Sequence, residues 1–247
     1  MRGLEILPVE GMPEIRPGDN LSGLICRAAE QHLQEGDVLI VSHKVLSKAE
    51  GRLVDLREIE PSAIAKDFAG RHGRDPRQIE VVLRECRRIV RMERGLIIAE
   101  TSHGFVCANA GVDASNVPGD DVVCLLPLDP DASAARLRGA LAARTGLELA
   151  VIVSDSFGRP WREGITNVAI GVSGMYPLAD YRGQMDPYGH RLEASVLAVA
   201  DELAAAAELV MGKTTGVPVA IVRGYPYPRG SGTGRDLLMP PERDLFR

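Results

Sequence analysis

Short apolar runs alternate with polar stretches along this chain, and glycine and proline mark most of the borders. Asn20 suits the N-cap of a helix running to about Gln34, where Gly36 ends it. Asp37-Val-Leu-Ile-Val-Ser42 then reads as a buried strand. Pro61-Ser62 opens a helix to about Arg71, and Asp75-Pro76 opens another to about Met92 with proline in its first turn. Strands are expected at 95–100, 105–108 and 121–126. Asp129-Pro-Asp-Ala-Ser133 caps a helix to about Thr145 that Gly146 terminates. The β-branched run 149–154 is a strand ending at Asp155, and two further strands, 167–172 and 218–223, flank a long helix at 192–211. The Pro-, Gly- and Arg-rich tail 225–247 reads as a loosely packed arm. Helices and strands do not keep a regular βαβ cadence, which predicts a mixed α/β, α+β-like fold and not a doubly wound sheet. Residues 1–247 are expected to form one domain, open to a division into two intertwined subdomains.

Composition narrows the class. A chain of 247 residues can bury a substantial core, and its net charge of -5 carries no basic footprint for nucleic acid. The arginines of Arg84-Glu-Cys-Arg-Arg-Ile-Val-Arg91 are interleaved with acids and apolar residues, which predicts a solvated helix face. Cys26, Cys86, Cys107 and Cys124 are scattered through apolar stretches without a CxxC pair, so neither a zinc site nor a disulfide framework is expected. Glu5 and Pro8 interrupt the first apolar residues, and Asp201, Glu202 and Glu208 punctuate the longest apolar helix. A cytoplasmic, soluble protein without a signal peptide or membrane span is the expectation.

Two acidic stations stand out: Asn109-Ala-Gly-Val-Asp113-Ala-Ser-Asn116 and Val153-Ser-Asp155-Ser156-Phe-Gly158. Each reads as an apolar strand tip running into small polar residues. Asp113, Asp155 and the Ser156 hydroxyl are hard oxygen donors of the kind that hold Mg²⁺ together with water and phosphate. Strand-end aspartates also serve as turn formers and helix caps, and the sequence leaves both readings open. A second cluster, Ser42-His43-Lys44-Val-Leu-Ser47-Lys48, follows a buried strand. Lys44 and Lys48 share a face if a helical turn forms there and would then counter phosphate charge; otherwise they are surface lysines on a turn. Two decoys drop out. Gly212-Lys213-Thr214 follows a helix where a P-loop precedes one, and it lacks the earlier glycine. Gly230-Ser-Gly232-Thr-Gly234 lacks dinucleotide spacing, and flexibility accounts for it.

Taken together, several uninterrupted motifs carry a resemblance. They are Leu7-Pro-Val-Glu-Gly-Met-Pro13, Val45-Leu-Ser-Lys-Ala-Glu-Gly51, the station around Asp113, Leu126-Pro-Leu-Asp-Pro-Asp131, Ser154-Asp-Ser-Phe-Gly-Arg159, Asp186-Pro-Tyr-Gly189 and Val199-Ala-Asp-Glu202. In this order the chain resembles the coenzyme F420-0:L-glutamate ligases over nearly its whole length. The resemblance implies a γ-glutamyl ligase fold that dimerises. It also implies a reaction joining L-glutamate to coenzyme F420-0 with GTP, through an acyl phosphate. It places GTP against Met12, Pro13, Glu14 and Ile15, against His43, Lys44, Lys48 and Asn116, and against Met211, Gly212 and Lys213. Asp113 and Asp155 would bind a divalent ion, Mg²⁺ or Mn²⁺, with Ser156 beside a second ion and K⁺ as a stimulant. Asp113, Asp155 and Lys48 would carry the catalytic charge. One departure is that Lys213 stands where the family's archaeal type offers an acid. A ligase for another carboxylate acceptor and a non-catalytic GTP-binding regulatory module are the competing classes.

Overall fold

The computed structural model describes residues 3–29 and 32–245. In chain order it contains β1 (Glu5–Pro8), α1 (Leu21–Ala28), β2 (Val38–Ser42), α2 (His43–Ala49) and β3 (Leu53–Asp55). Next come α3 (Ala63–His72), α4 (Pro76–Glu85), β4 (Cys86–Glu93), β5 (Leu96–Thr101), β6 (Val106–Ala108) and β7 (Val122–Cys124). They are followed by α5 (Pro130–Thr145), β8 (Ala150–Arg159), β9 (Arg162–Met175), β10 (Ala179–Asp180) and β11 (Val196–Leu197). The chain closes with α6 (Val199–Met211), β12 (Val219–Arg223) and β13 (Arg229–Gly230). The fold is mixed α/β, as expected.

The main sheet has six strands in the order β1-β12-β2-β8-β9-β13, and β2 with β8 is its parallel pair. Alternation along its central strands fills both faces. Leu39, Val41, Val151, Val153, Val219 and Ile221 enter one core with residues of α1, α2 and α5. Val38, Ile40, Ala150, Ile152, Ala220 and Val222 enter the opposite core beneath α6. Because both faces are covered, these strands read as continuous apolar runs. A third core joins α3, α4 and the sheet β4-β5-β6 around Phe68, Ile79, Ile97 and Ala99.

Several sequence expectations need correction. The helix from Asp75 ends at Glu85, and the arginine-rich stretch beyond it is the strand β4. Arg94 and Gly95 both have positive φ and form the two-residue turn that folds β4 onto β5. The arginines do face solvent, but from a strand, where Arg88 reaches Glu100 across the ladder at 2.9 Å. The helix after Asn20 ends at Ala28, and residues 30–31 of its expected span lie outside the described residues. The long helix begins at Val199, not near 192.

The tail also departs from expectation. Its β13 pairs with β9, and the amide of Gly234 donates to Asp131 Oδ1 at 2.6 Å, an oxygen that also accepts from Val172 N. A Cβ on Gly232 would fall 2.7 Å from the Met175 carbonyl oxygen, and one on Gly234 would fall 2.6 Å from that of Ile170. These glycines permit close packing, and flexibility is not their role. A sequence rich in glycine reads as mobile only until a backbone is found lying against it.

Asp155 is not at a strand tip either. β8 continues to Arg159, turns through Pro160-Trp161 and returns as β9. Its parallel partner β2, however, stops at Ser42 opposite Ser154. From Asp155 onward β8 loses that neighbour, so its next side chains border open space at the carboxyl end of the parallel pair. Open α/β sheets bind ligands in such a position.

Candidate active site

A cavity of about 670 Å³ opens where β2 gives way to α2. Every residue expected to hold GTP or a metal lines it: Met12, Pro13, Glu14, Ile15, His43, Lys44, Lys48, Asp113, Asn116, Asp155, Ser156, Met211, Gly212 and Lys213. They come from five separate stretches of chain. The volume lies within the usual range for small-molecule sites.

Charge is paired across the walls. The expected helical turn forms as α2 and puts Lys44 and Lys48 one turn apart. Lys44 Nζ donates to Asp113 Oδ2 at 2.6 Å and to Ser115 Oγ at 2.7 Å. Lys48, almost buried, donates to Glu14 Oε1 at 2.5 Å. Lys213 donates to Ser156 Oγ at 2.5 Å and pairs with Glu208 Oε1 at 2.9 Å.

The two acidic stations are built differently. Asp113 lies after β6 and a tight 3-10 turn, and it forms an isolated bridge with Cys124 instead of ending a strand. Both its oxygens are engaged: Oδ1 accepts from Ser115 N, and Oδ2 accepts from Lys44 Nζ and Ser115 Oγ. Burial works to raise its pKa, but the hydrogen bonds from Lys44 and Ser115 prevail and hold its carboxyl below the usual carboxylate range. Asp155 Oδ1 accepts from Ser156 N at 2.7 Å and lies 3.4 Å from His43 Nε2. Among the described residues no hydrogen bond reaches Asp155 Oδ2, and no lysine or arginine pairs with this carboxylate.

Sequence reasoning missed two residues, Asn167 and Glu208. Buried Asn167 donates through Nδ2 to Glu208 Oε2 at 2.8 Å, and its Oδ1 accepts from Ser156 Oγ at 2.6 Å. Glu208 therefore places a carboxylate on the wall near Lys213. A signal was available: an acid in the last turn of a helix opposes the helix dipole and calls for a compensating partner. Cys107 and Cys124 line no part of this cavity. Desolvation pushes their thiols up to about 12 and about 11, which leaves them protonated and unreactive at neutral pH.

Asp113, Asp155 and Ser156 present hard oxygen donors on one cavity, and Asp155 Oδ2 is free to take a ligand. Among the described residues no three His, Cys, Asp or Glu side chains gather as a metal cage. One or two carboxylates without a cage fit Mg²⁺ or Mn²⁺, which draw their other ligands from water and phosphate oxygens.

Known proteins give the same outline as the motifs. The family model for F420-0:Gamma-glutamyl ligase matches residues 11–224. The Coenzyme F420:L-glutamate ligase of Methanothermobacter thermautotrophicus is 48% identical over 251 residues, covering 99% of each chain. Its namesake from Methanopyrus kandleri is 49% identical over 255 residues and all of both chains. That of Methanocaldococcus jannaschii is 43% identical over 249 residues, covering 100% of this chain and 98% of its own. With full-length matches of this strength, the chain belongs to the F420-0:gamma-glutamyl ligase family.

Proposed function

We propose that this chain forms an amide bond between L-glutamate and coenzyme F420-0, using GTP to activate the acceptor carboxylate. The observation that carries the GTP-dependent part is the single cavity in which Lys44, Lys48 and Lys213 converge with Asp113 and Asp155. Full-length similarity to relatives named as F420:L-glutamate ligases supports the choice of acceptor and amino acid.

Joining a γ-phosphate to a carboxylate brings two anions together, so fixed cations must offset the charge that develops. An oxygen of the acceptor carboxylate attacks the γ-phosphorus, GDP leaves, and an acyl phosphate forms. The amine of glutamate then attacks the carbonyl carbon, loses a proton, and inorganic phosphate departs. Lys44 and Lys48 exchange their present carboxylate partners for phosphate oxygens, and Lys213 guards the Ser156 side. Asp113 and Asp155, with Ser156 at their side, would hold the divalent cation, which supplies charge neutralisation at the phosphates. No cysteine nucleophile is needed. The functional unit in this reading is a homodimer, for which sedimentation should give twice the chain mass of 26.6 kDa.

The test is phosphate release with GTP, F420-0 and L-glutamate, each omitted in turn. A ligase for F420-0 releases phosphate only when all three are present and yields glutamylated product. Silence with the complete mixture refutes this acceptor, and GTP binding without turnover points to a regulatory module.

A further inference from the structure

His43 is the first residue of α2, and its ring, in the cavity wall, is buried at 1% exposure. Its Nδ1 lies 3.3 Å from the hydroxyl of Ser47, itself fully buried, one turn along the helix. Among the described residues its buried Nε2 has no hydrogen-bond partner, and it lies 3.4 Å from Asp155 Oδ1. Burying a ring nitrogen without a partner is costly, so its place beside a carboxylate calls for an explanation.

We infer that His43 is a positioning residue for Asp155. In this role the Ser47 hydroxyl donates to Nδ1, and the ring proton then sits on Nε2, the nitrogen 3.4 Å from Asp155 Oδ1. Ser156 N donates to the same oxygen at 2.7 Å. With Ser156 N bonded to Oδ1 and Nε2 beside the same oxygen, Oδ2 is the oxygen left for a ligand. The 3.4 Å separation is long for a hydrogen bond, and among the described residues Nε2 has no other partner. A hydrogen-bonded partner behind a ligating carboxylate tunes a metal site as strongly as some ligands do. The inference rests on the divalent cation proposed above.

Two measurements test it. Long-range ¹⁵N–¹H spectra of the metal-free wild type should show the His43 proton on Nε2 and Nδ1 bare; a proton on Nδ1 with Nε2 bare overturns the inference. Mn²⁺ retained by the protein can then be counted by equilibrium dialysis with equal GTP on both sides of the membrane, with circular dichroism confirming that each variant is folded. His43→Leu should bind Mn²⁺ about 10–100-fold more weakly than wild type. His43→Gln, whose amide nitrogen reaches the place of Nε2, should recover to within about threefold of wild type on the same scale. Wild-type affinity in His43→Leu, or equal losses in both variants, overturns the positioning role and leaves the cation reading intact. A wild-type protein that binds no Mn²⁺ overturns the cation reading and this inference with it.

Discussion

Asp113 and Asp155 look alike in the sequence, each an aspartate two or fewer residues from a serine, and the fold gives them opposite circumstances. Asp113 hangs on an irregular segment and is neutralised by the ammonium of Lys44, with both oxygens occupied. Asp155 sits within a paired strand, is backed by a buried imidazole, and keeps one oxygen free. The difference comes from their supports. Asp155 lies on β8 just past the end of β2 and is held extended by β9, whereas Asp113 lies three residues past the left-handed pair Asn109-Ala110 and is held by an isolated bridge to Cys124. In the proposed reading Asp155 takes the cation directly, while Asp113 must first release the ammonium of Lys44.

The largest expected effect follows from that contrast. Asp155→Asn should lower turnover by roughly 10³-fold while the protein stays folded, the scale of losing a central electrostatic group. Asp113→Asn should cost less, about 10²-fold, because Lys44 keeps part of the local charge in place. Equal losses would erase the distinction. Lys44→Met comes next: with Asp113 freed and a phosphate counter-charge removed, KM for GTP should rise about tenfold, the scale of one charge-assisted hydrogen bond, with a smaller change in kcat. An unchanged KM would show that Lys44 serves Asp113 alone.

Lys213→Glu probes the far wall. It replaces an ammonium bound to Ser156 and Glu208 by a carboxylate, so the Mn²⁺ concentration for half-maximal rate should shift. An unchanged titration would mean that Lys213 carries no charge relevant to the cation.

The smallest effect is on stability. Asp113 titrates below its unfolded value, so its contribution is present above about pH 4 and fades as pH falls through the folded pKa. Melting curves of wild type and Asp113→Asn should differ by about 1 kcal/mol near neutrality, since the pair is partly exposed, and converge at acid pH. Curves that stay parallel down to acid pH would contradict the ion pair as its source.

What the sequence disclosed follows the same physics. The strands of the main sheet were readable because burial on both faces demands uninterrupted apolar runs, as in Val38–Ser42. Helix α5 was readable from its own ends, where the Asp129 side chain caps Ala132 N and Gly146 takes the left-handed conformation. β4 was misread because arginines at near-helical spacing mask Ile89 and Val90, and the turn that decides the matter uses Arg94, a residue that seldom adopts positive φ. The extension of β8 past Asp155 was invisible because Ser156, Gly158 and Arg159 show no apolar alternation; the hairpin with β9 holds them extended. Site residues in contiguous motifs were found. Asn167 and Glu208 were not, since each has polar neighbours in its own element, Thr166 in β9 and Asp201 and Glu202 in α6, and acquires meaning only when β9 and α6 meet.

In the proposed mechanism Asp155 is the carboxylate on which the cation depends most. Mn²⁺ retained by the protein in equilibrium dialysis, with equal GTP on both sides of the membrane, compares Asp155→Asn and Asp113→Asn directly. Asp155→Asn should lose stoichiometric Mn²⁺ binding, while Asp113→Asn should retain it at weakened affinity. Retained binding in Asp155→Asn together with loss in Asp113→Asn would contradict the account.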